Sequence, residues 1–237
     1  MKNISIAVFL IAALLLLLAG NCFGYAVTVV YDAGTTQYIT SMQSVMNTSE
    51  LAGMKLQAHF TDSSTETVYW SSVGGGVGTG WSLSKSGNTF GWWELVNSGT
   101  KTMDGLLIDG FSGNTSFDTD VNQYNPLLAT IGNTPNSDHG WEFQIYNQLS
   151  APAVTITATY RDLVALVNKA PAGDEFRYLN LAFSGEGSGF GPNGMLFFQI
   201  DTDRVTPLVT PVPEPGSILL LASGLVMYAV LKKRAHI

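Results

Sequence analysis

Strict alternation of apolar and polar residues is the strongest pattern in the middle of the chain. From Val154 to Tyr160 every second residue is apolar, and the residues between them are threonines. Lys55 to Phe60 shows the same period, with Leu56, Ala58 and Phe60 on one side. A period of two predicts β-strands with one buried face, because successive side chains of a strand point to opposite faces.

Roughly ten segments carry a strand pattern, and turn residues separate them. The clearest are Ala26 to Asp32, Met54 to Thr61, Thr67 to Trp70, Thr89 to Asn97, Met103 to Phe111, Trp141 to Tyr146, Val154 to Tyr160, Phe176 to Phe183 and Met195 to Asp201. We expect an all-β fold over residues 27–204, an antiparallel two-sheet sandwich with jelly-roll-like connections. Residues 114–136 hold the longest stretch without a strand pattern, and we expect a loop there.

Residues 1–26 have the pattern of a secretory signal peptide. An apolar run from Ile4 to Ala19 follows a lysine, and small residues follow the run. We therefore predict a signal helix that is cleaved after Ala26. Cys22 raises the alternative of a lipoprotein, which Asn21 disfavours because a small residue should precede a lipidated cysteine. Cleavage after Ala26 removes the cysteine, so we expect no disulfide in the mature chain.

A second apolar run lies near the C-terminus, where the fourteen residues from Ile218 to Leu231 carry no charge. As a helix this run would be about 21 Å long, against about 30 Å for the hydrocarbon core of a membrane. We predict a marginal transmembrane helix, and the cations after it, Lys232, Lys233 and Arg234, favour a cytoplasmic C-terminus. A buried core helix is the alternative, but the run offers only Ser223 toward a polar stripe.

Prolines precede this helix in the sequence V-P-E-P-G-S, which begins at residue 212. Their fixed φ angles exclude a helix here and predict an extended spacer, with residues 205–211 as the linker before it. The order of Pro-Glu-Pro, apolar helix and basic end resembles the PEP-CTERM sorting signal of exported bacterial proteins, over residues 212–237. The residues at the processing site would be Val212, Pro213, Glu214 and Pro215.

The body is also loosely similar to the β-rich domains that carry such signals, in W-S-L-S at Trp81, L-I-D-G-F at Leu107, T-S-F-D at Thr115 and the closing motif at Gly194. The resemblance implies export across the inner membrane of a Gram-negative-type bacterium and transient anchoring in that membrane by the tail. It also implies processing by an exosortase and release to the cell surface or matrix, beside exopolysaccharide. It implies no catalytic residues for the body.

The net charge of the body indicates which classes of partner it disfavours. Residues 27–213 contain seven Lys and Arg against seventeen Asp and Glu, a net charge of −10. A surface this acidic does not favour binding to nucleic acid or to anionic lipid. We therefore expect neither as a partner of the body.

Calcium is the one cofactor that the sequence suggests. Asp118, Asp120 and Asn122 place oxygen ligands at alternate positions, as in a calcium loop. Gln123 occupies the position where an EF-hand needs glycine, so a site of another type would be required. Asp201 and Asp203 are a second candidate pair, for which a solvated strand end is the alternative interpretation.

Adjacent Trp92 and Trp93 point to opposite faces of a predicted strand, so we expect one in the core and one partly exposed. An exposed tryptophan is a flat surface on which a sugar ring can stack. Both residues are therefore candidates for glycan binding, and packing of both is the alternative.

Catalysis has weak support in the sequence. The body has two histidines, His59 and His139, and no G-x-S-x-G nucleophile motif. A glycoside hydrolase needs only two carboxylates about 5–10 Å apart, but no pair stands out. We predict a non-enzymatic exported protein that associates with exopolysaccharide, with a lectin-like glycan-binding module and a glycoside hydrolase as the alternatives.

Overall fold

Strands make up most of the described part of the chain. The computed structural model describes residues 26–44, 47–86, 92–119, 140, 142–149, 154–167, 175–185 and 189–208. The strands are β1 (Ala26–Asp32), β2 (Gln37–Ser44), β3 (Lys55–Phe60), β4 (Thr65–Tyr69), β5 (Gly76–Gly78), β6 (Trp81–Lys85), β7 (Trp93–Asn97), β8 (Met103–Asp109), β9 (Thr115–Asp118), β10 (Gln144–Leu149), β11 (Val154–Leu166), β12 (Glu175–Gly185), β13 (Gly194–Gln199) and β14 (Asp201–Pro207). Two short 3-10 helices, Thr48–Leu51 and Gly110–Gly113, accompany them.

The prediction of an all-β body is confirmed by these elements. No helix within the described ranges is long and apolar enough to cross a membrane. The signal helix and the transmembrane helix predicted from the sequence both lie outside the described residues.

The strands form two sheets, as predicted. The large sheet has nine strands in the order β1-β11-β2-β14-β9-β12-β8-β3-β4, and the small sheet has five in the order β10-β13-β7-β6-β5. The prediction of purely antiparallel pairing is wrong for two strands, because β1 and β2 both run parallel to β11. Alternation along a strand reports which face is buried and says nothing about the direction of its neighbour, which is why the sequence could not show this.

The two sheets share one hydrophobic core. Leu56 and Ala58 of the large sheet belong to the same buried cluster as Trp93 and Leu95 of the small sheet. The inward position of Leu56, Ala58 and Phe60, predicted from their spacing, is confirmed. Because these side chains alternate with half-buried neighbours, one face of β3 packs on the core and the other faces outward.

The chain passes from one sheet to the other at a single residue. Met195 to Asp201 was expected to form one strand, but β13 ends at Gln199 in the small sheet and β14 begins at Asp201 in the large sheet. Strand β14 then continues to Pro207, and Val205 is buried in it. The linker predicted over 205–211 therefore begins no earlier than residue 208.

One strand was missed inside the predicted loop of residues 114–136. Thr115–Asp118 forms β9, which pairs with β12 on one side and with β14 on the other. A strand of four residues with the sequence T-S-F-D has one apolar residue, too few to show alternation. The described part of the predicted loop is therefore central to the sheet.

Candidate functional site

Five strands of the large sheet form a closed cycle of hydrogen-bonded pairs, which we call the five-strand ring. Strand β11 pairs with β2, and β2 pairs with β14. Strand β14 pairs with β9, β9 pairs with β12, and β12 returns to β11. Each of these strands therefore has a partner on both sides, and none of them forms an edge of the ring.

The register of the ring brings three carboxyl groups together, although they lie far apart in the sequence. Asp118 of β9 is directly opposite Glu175 of β12, and Ser116 of β9 is directly opposite Asp203 of β14. Opposed residues project from the same face of a sheet, and so do residues two apart on one strand. Asp118, Glu175 and Asp203, the acidic triad, consequently share one face with Ser116.

The acidic triad is buried. Asp118, Glu175 and Asp203 are 3%, 1% and 6% exposed. One oxygen from each carboxyl group lies within 4.8 Å of the other two. The Ser116 hydroxyl donates a hydrogen bond of 2.6 Å to Glu175 Oε2. Glu175 Oε1 is buried and accepts no hydrogen bond from a donor group, and Asp203 lies close enough to Glu175 to share a proton with it.

Burial and mutual repulsion make the ionised form of this cluster costly. The pKa of Glu175 is raised well above its usual value, chiefly by burial and then by the charges of Asp118 and Asp203. The pKa of Asp203 is also raised by burial. The pKa of Asp201 is raised to about 7, again by burial first and by Asp203 second. At neutral pH the triad must therefore retain protons or be neutralised by a cation.

A lysine lies near this group of acids on the side of the small sheet. Lys85 of β6 is buried, and its Nζ lies 5.6 Å from the centre of the Trp93 ring. Burial lowers its pKa, while Asp201 and Glu50 act to raise it. Within the described ranges, no ion pair of a lysine or arginine involves Glu175 or Asp203.

The structure changes the predicted metal site. Asp118 lies in a buried strand and not in a loop, while Asp120 and Asn122 are outside the described residues. Asp203, for which a solvated strand end was an alternative, is buried. The two carboxyl groups that join Asp118 in the triad, those of Glu175 and Asp203, lie 57 and 85 residues further along the chain. Residues so far apart in the sequence form no local motif of metal ligands, and the sequence analysis therefore did not identify Glu175 as a candidate ligand.

A second feature lies on the outward face of the large sheet, where a row of polar and aromatic side chains crosses six strands. The opposed pairs are Tyr69 with Lys55, Lys55 with Asp109, Asp109 with Tyr178, Tyr178 with Arg161, and Arg161 with Asp32. We call these six residues the outer row. They face away from the core because Leu56 and Leu179, adjacent to two of them, face into it.

Cation and ring contacts hold the middle of the outer row. Arg177 donates two hydrogen bonds, of 3.1 and 3.0 Å, to the carboxylate of Asp109. Its guanidinium lies 4.5 Å from the centre of the Tyr178 ring, and that of Arg161 lies 5.0 Å from the same ring. A cavity of about 140 Å³ opens here, lined by Lys55, Gln57, Leu107, Asp109, Arg161 and Tyr178.

The two tryptophans predicted to bind glycan differ in exposure. Trp93 is 0% exposed, and its ring lies 5.1 Å from that of Trp70 and 6.0 Å from that of Phe198. The prediction of Trp93 as a glycan-binding residue is therefore wrong, because packing between the sheets covers the whole ring. Trp92 is half-buried and precedes β7, so only Trp92 keeps a surface for a ligand.

The predicted processing residues cannot be compared with the structure in the same way. Ala26 is exposed and is the first residue of β1, opposite Thr155. The sorting residues and the basic end lie outside the described residues: Val212, Pro213, Glu214, Pro215, Lys232, Lys233 and Arg234.

No protein-family model, curated protein or solved structure matches this chain. The function proposed below consequently depends on the residues of the chain itself.

Proposed function

We propose that this chain is an exported, non-enzymatic cell-surface or matrix protein whose body binds extracellular polysaccharide. The observation that carries the proposal is the outer row, which presents donors, acceptors and two tyrosine rings on one face of a sheet. Sugars offer the complementary groups, because each ring has hydroxyls at its edge and an apolar face for stacking.

The dimensions of the outer row suit a chain-like ligand. Neighbouring strands lie about 4.8 Å apart, so six strands span about 24 Å. Tyr69 at one end is 62% exposed, and its ring is available for stacking. Because the row runs across the strands, a linear polysaccharide could contact several side chains at once. Half-buried Trp92 is a further candidate contact.

The two ends of the chain supply the proposed route to the surface. A signal peptide that is cleaved after Ala26 would start export, and the Pro-Glu-Pro motif, the apolar helix and Lys232 to Arg234 would hold the protein in the inner membrane. An exosortase would then cut near Val212 to Pro215 and release the body. The jelly-roll-like connection of the strands stays a prediction within this proposal.

The glycoside hydrolase alternative gains no support from the acidic triad. A glycosidase requires carboxyl groups that flank the bond of a bound sugar. Asp118, Glu175 and Asp203 are all at least 94% buried, since the most exposed of them is 6% exposed. A sugar chain could not reach them without opening the sheet.

Binding is tested with the full-length chain, purified in detergent, on an array of neutral and acidic polysaccharides. Tyr69→Ala and Arg161→Ala change side chains of the outer row that are well exposed, so they should leave the fold intact. We expect each to weaken binding about tenfold or more. Val77→Ala, at an exposed position of the small sheet, is the matched control and should bind as the parent does. Equal binding by all four proteins would place the contact elsewhere.

The sorting role is tested separately by deleting residues 212–237 and fractionating the cells. We expect the truncated protein to lose its membrane-bound stage, because no apolar helix would retain it. Recovery of the intact tail, including Lys232 to Arg234, on protein collected outside the cells would contradict processing.

A further inference from the structure

The acidic triad places three acceptor groups where water cannot solvate them. Asp118, Glu175 and Asp203 are nearly fully buried, and one oxygen of each lies within 4.8 Å of the others. Like charges at this separation repel strongly in a medium of low polarity. An arrangement of this kind persists only if something positive, a proton or a metal ion, lies among the carboxyl groups.

Glu175 provides a second and separate observation. Its Oε2 accepts a hydrogen bond from Ser116, which fixes the orientation of the carboxyl group. Its Oε1 is buried and accepts no hydrogen bond from a donor group, and Asp203 lies close enough to Glu175 for the two carboxyl groups to share a proton. Buried polar atoms almost always have a partner, so an oxygen left without a donor beside two other carboxyl groups indicates a ligand that supplies positive charge.

We propose that the acidic triad binds one calcium ion through the carboxyl groups of Asp118, Glu175 and Asp203. All the donors are carboxyl oxygens, which hard divalent cations prefer. Three carboxyl groups can supply up to about six oxygens when each binds with both, and calcium accepts such flexible coordination. Magnesium retains several waters of its own, and a site this buried has little room for them.

The position of the triad gives the ion a structural role. Asp118, Glu175 and Asp203 come from the three neighbouring strands β9, β12 and β14 of the five-strand ring. A bound ion links these strands by bonds additional to their backbone ladders. Calcium should therefore stabilise the folded chain without being needed for contact with polysaccharide at the outer row.

The test uses the full-length chain in detergent at pH 7.5, stripped with a chelator and titrated calorimetrically with calcium chloride or magnesium chloride. We expect one calcium ion per chain, with a dissociation constant on the order of 10⁻⁴ M and at least tenfold weaker binding of magnesium. At a hundredfold excess over that constant, the thermal midpoint should rise by about 5–10 °C.

Glu175→Gln and Asp118→Asn keep the shape of each side chain and remove one charge. Each should lower calcium affinity by tenfold or more and abolish most of the thermal shift. Asp104→Asn removes the same charge from an exposed position of β8, so it is the matched control and should respond as the parent does.

Two results would overturn the proposal. The first is the absence of calcium binding to the parent chain, which requires no variant to fold and would mean that the triad shares protons instead. The second is calcium binding that Glu175→Gln, Asp118→Asn and Asp203→Asn all leave unchanged, which would locate the ion at surface acids.

Discussion

The core between the two sheets and the acidic triad are buried to the same degree, but burial affects the free energy of the two regions in opposite directions. Trp93, Phe198 and Leu181 in the core are 0% exposed and gain free energy by leaving water. Glu175 is as well buried, but its charged form loses solvation and the pKa of its carboxyl group rises. Burial stabilises the first region by itself, whereas the second requires a proton or a cation in addition. Exposure alone therefore does not show whether a buried residue stabilises a fold.

The largest effect should come from the core. Trp93→Ala removes a ring that contacts Trp70 and Phe198 and leaves a cavity between the sheets. We expect a loss of about 3–5 kcal/mol in the free energy of unfolding, measured by urea denaturation. Trp92→Ala, at the half-buried neighbour, is the control and should cost much less. Equal losses would mean that the two rings do not differ in packing.

The acidic region should make the free energy of unfolding depend on pH. The folded chain holds the proton of Asp201 up to about pH 7, whereas an unfolded aspartate releases it near pH 4. The folded state therefore binds more protons between these values, so in chelator its stability should fall as the pH rises from about 4 to about 7. At about 1.4 kcal/mol for each pH unit, the contribution of Asp201 reaches about 4 kcal/mol at most.

Asp201→Asn isolates this contribution. The variant cannot titrate at that position, so its urea midpoint should change less with pH than that of the parent. A parent protein that gains stability between pH 4 and 7 in chelator, relative to the variant, would contradict the raised pKa of Asp201.

An intermediate effect is expected at the ion pair of the outer face. Arg177 and Asp109 are partly buried and share two hydrogen bonds. Arg177→Ala leaves the Asp109 carboxylate without those donors and should cost about 1–3 kcal/mol. Arg177→Lys retains the charge but not the paired geometry, so it should recover only part of the loss. Full recovery by lysine would show that charge alone matters there.

The smallest effect should come from the exposed pair of Lys101 and Asp62. Their closest atoms are 2.8 Å apart, but both side chains are about half exposed. Lys101→Ala should therefore lower the free energy of unfolding by less than Arg177→Ala does, and by less still in high salt, because water and ions screen such a pair. The difference from Arg177→Ala measures what partial burial adds to an ion pair.

The alternation of apolar and polar residues predicted which side chains of a strand face the core, because the polarity of a residue depends on whether its own side chain is buried. The inward faces of β3 and β11 follow from Leu56, Ala58, Val154 and Ile156, and the structure agrees. The parallel direction of β1 and β2 depends on how distant segments meet, which a period of two does not encode.

The acidic triad could not be predicted from the sequence for the same reason. Asp118 was recognised as a candidate ligand, but its neighbours in space follow from the pairing of β9 with β12 and β14. Glu175 begins its strand directly beside Phe176, and nothing in the local sequence distinguishes it from an exposed glutamate. Registers across strands must be known before such a cluster can be found.

The passage from β13 to β14 at Ile200 has a mechanical consequence. The chain leaves the described body through β14, which lies between β2 and β9 rather than at an edge. Tension applied to the chain beyond Pro207 would be resisted by the ladders on both sides of β14. A load at this exit is thus shared by two rows of hydrogen bonds, whereas an edge strand would bear it on one.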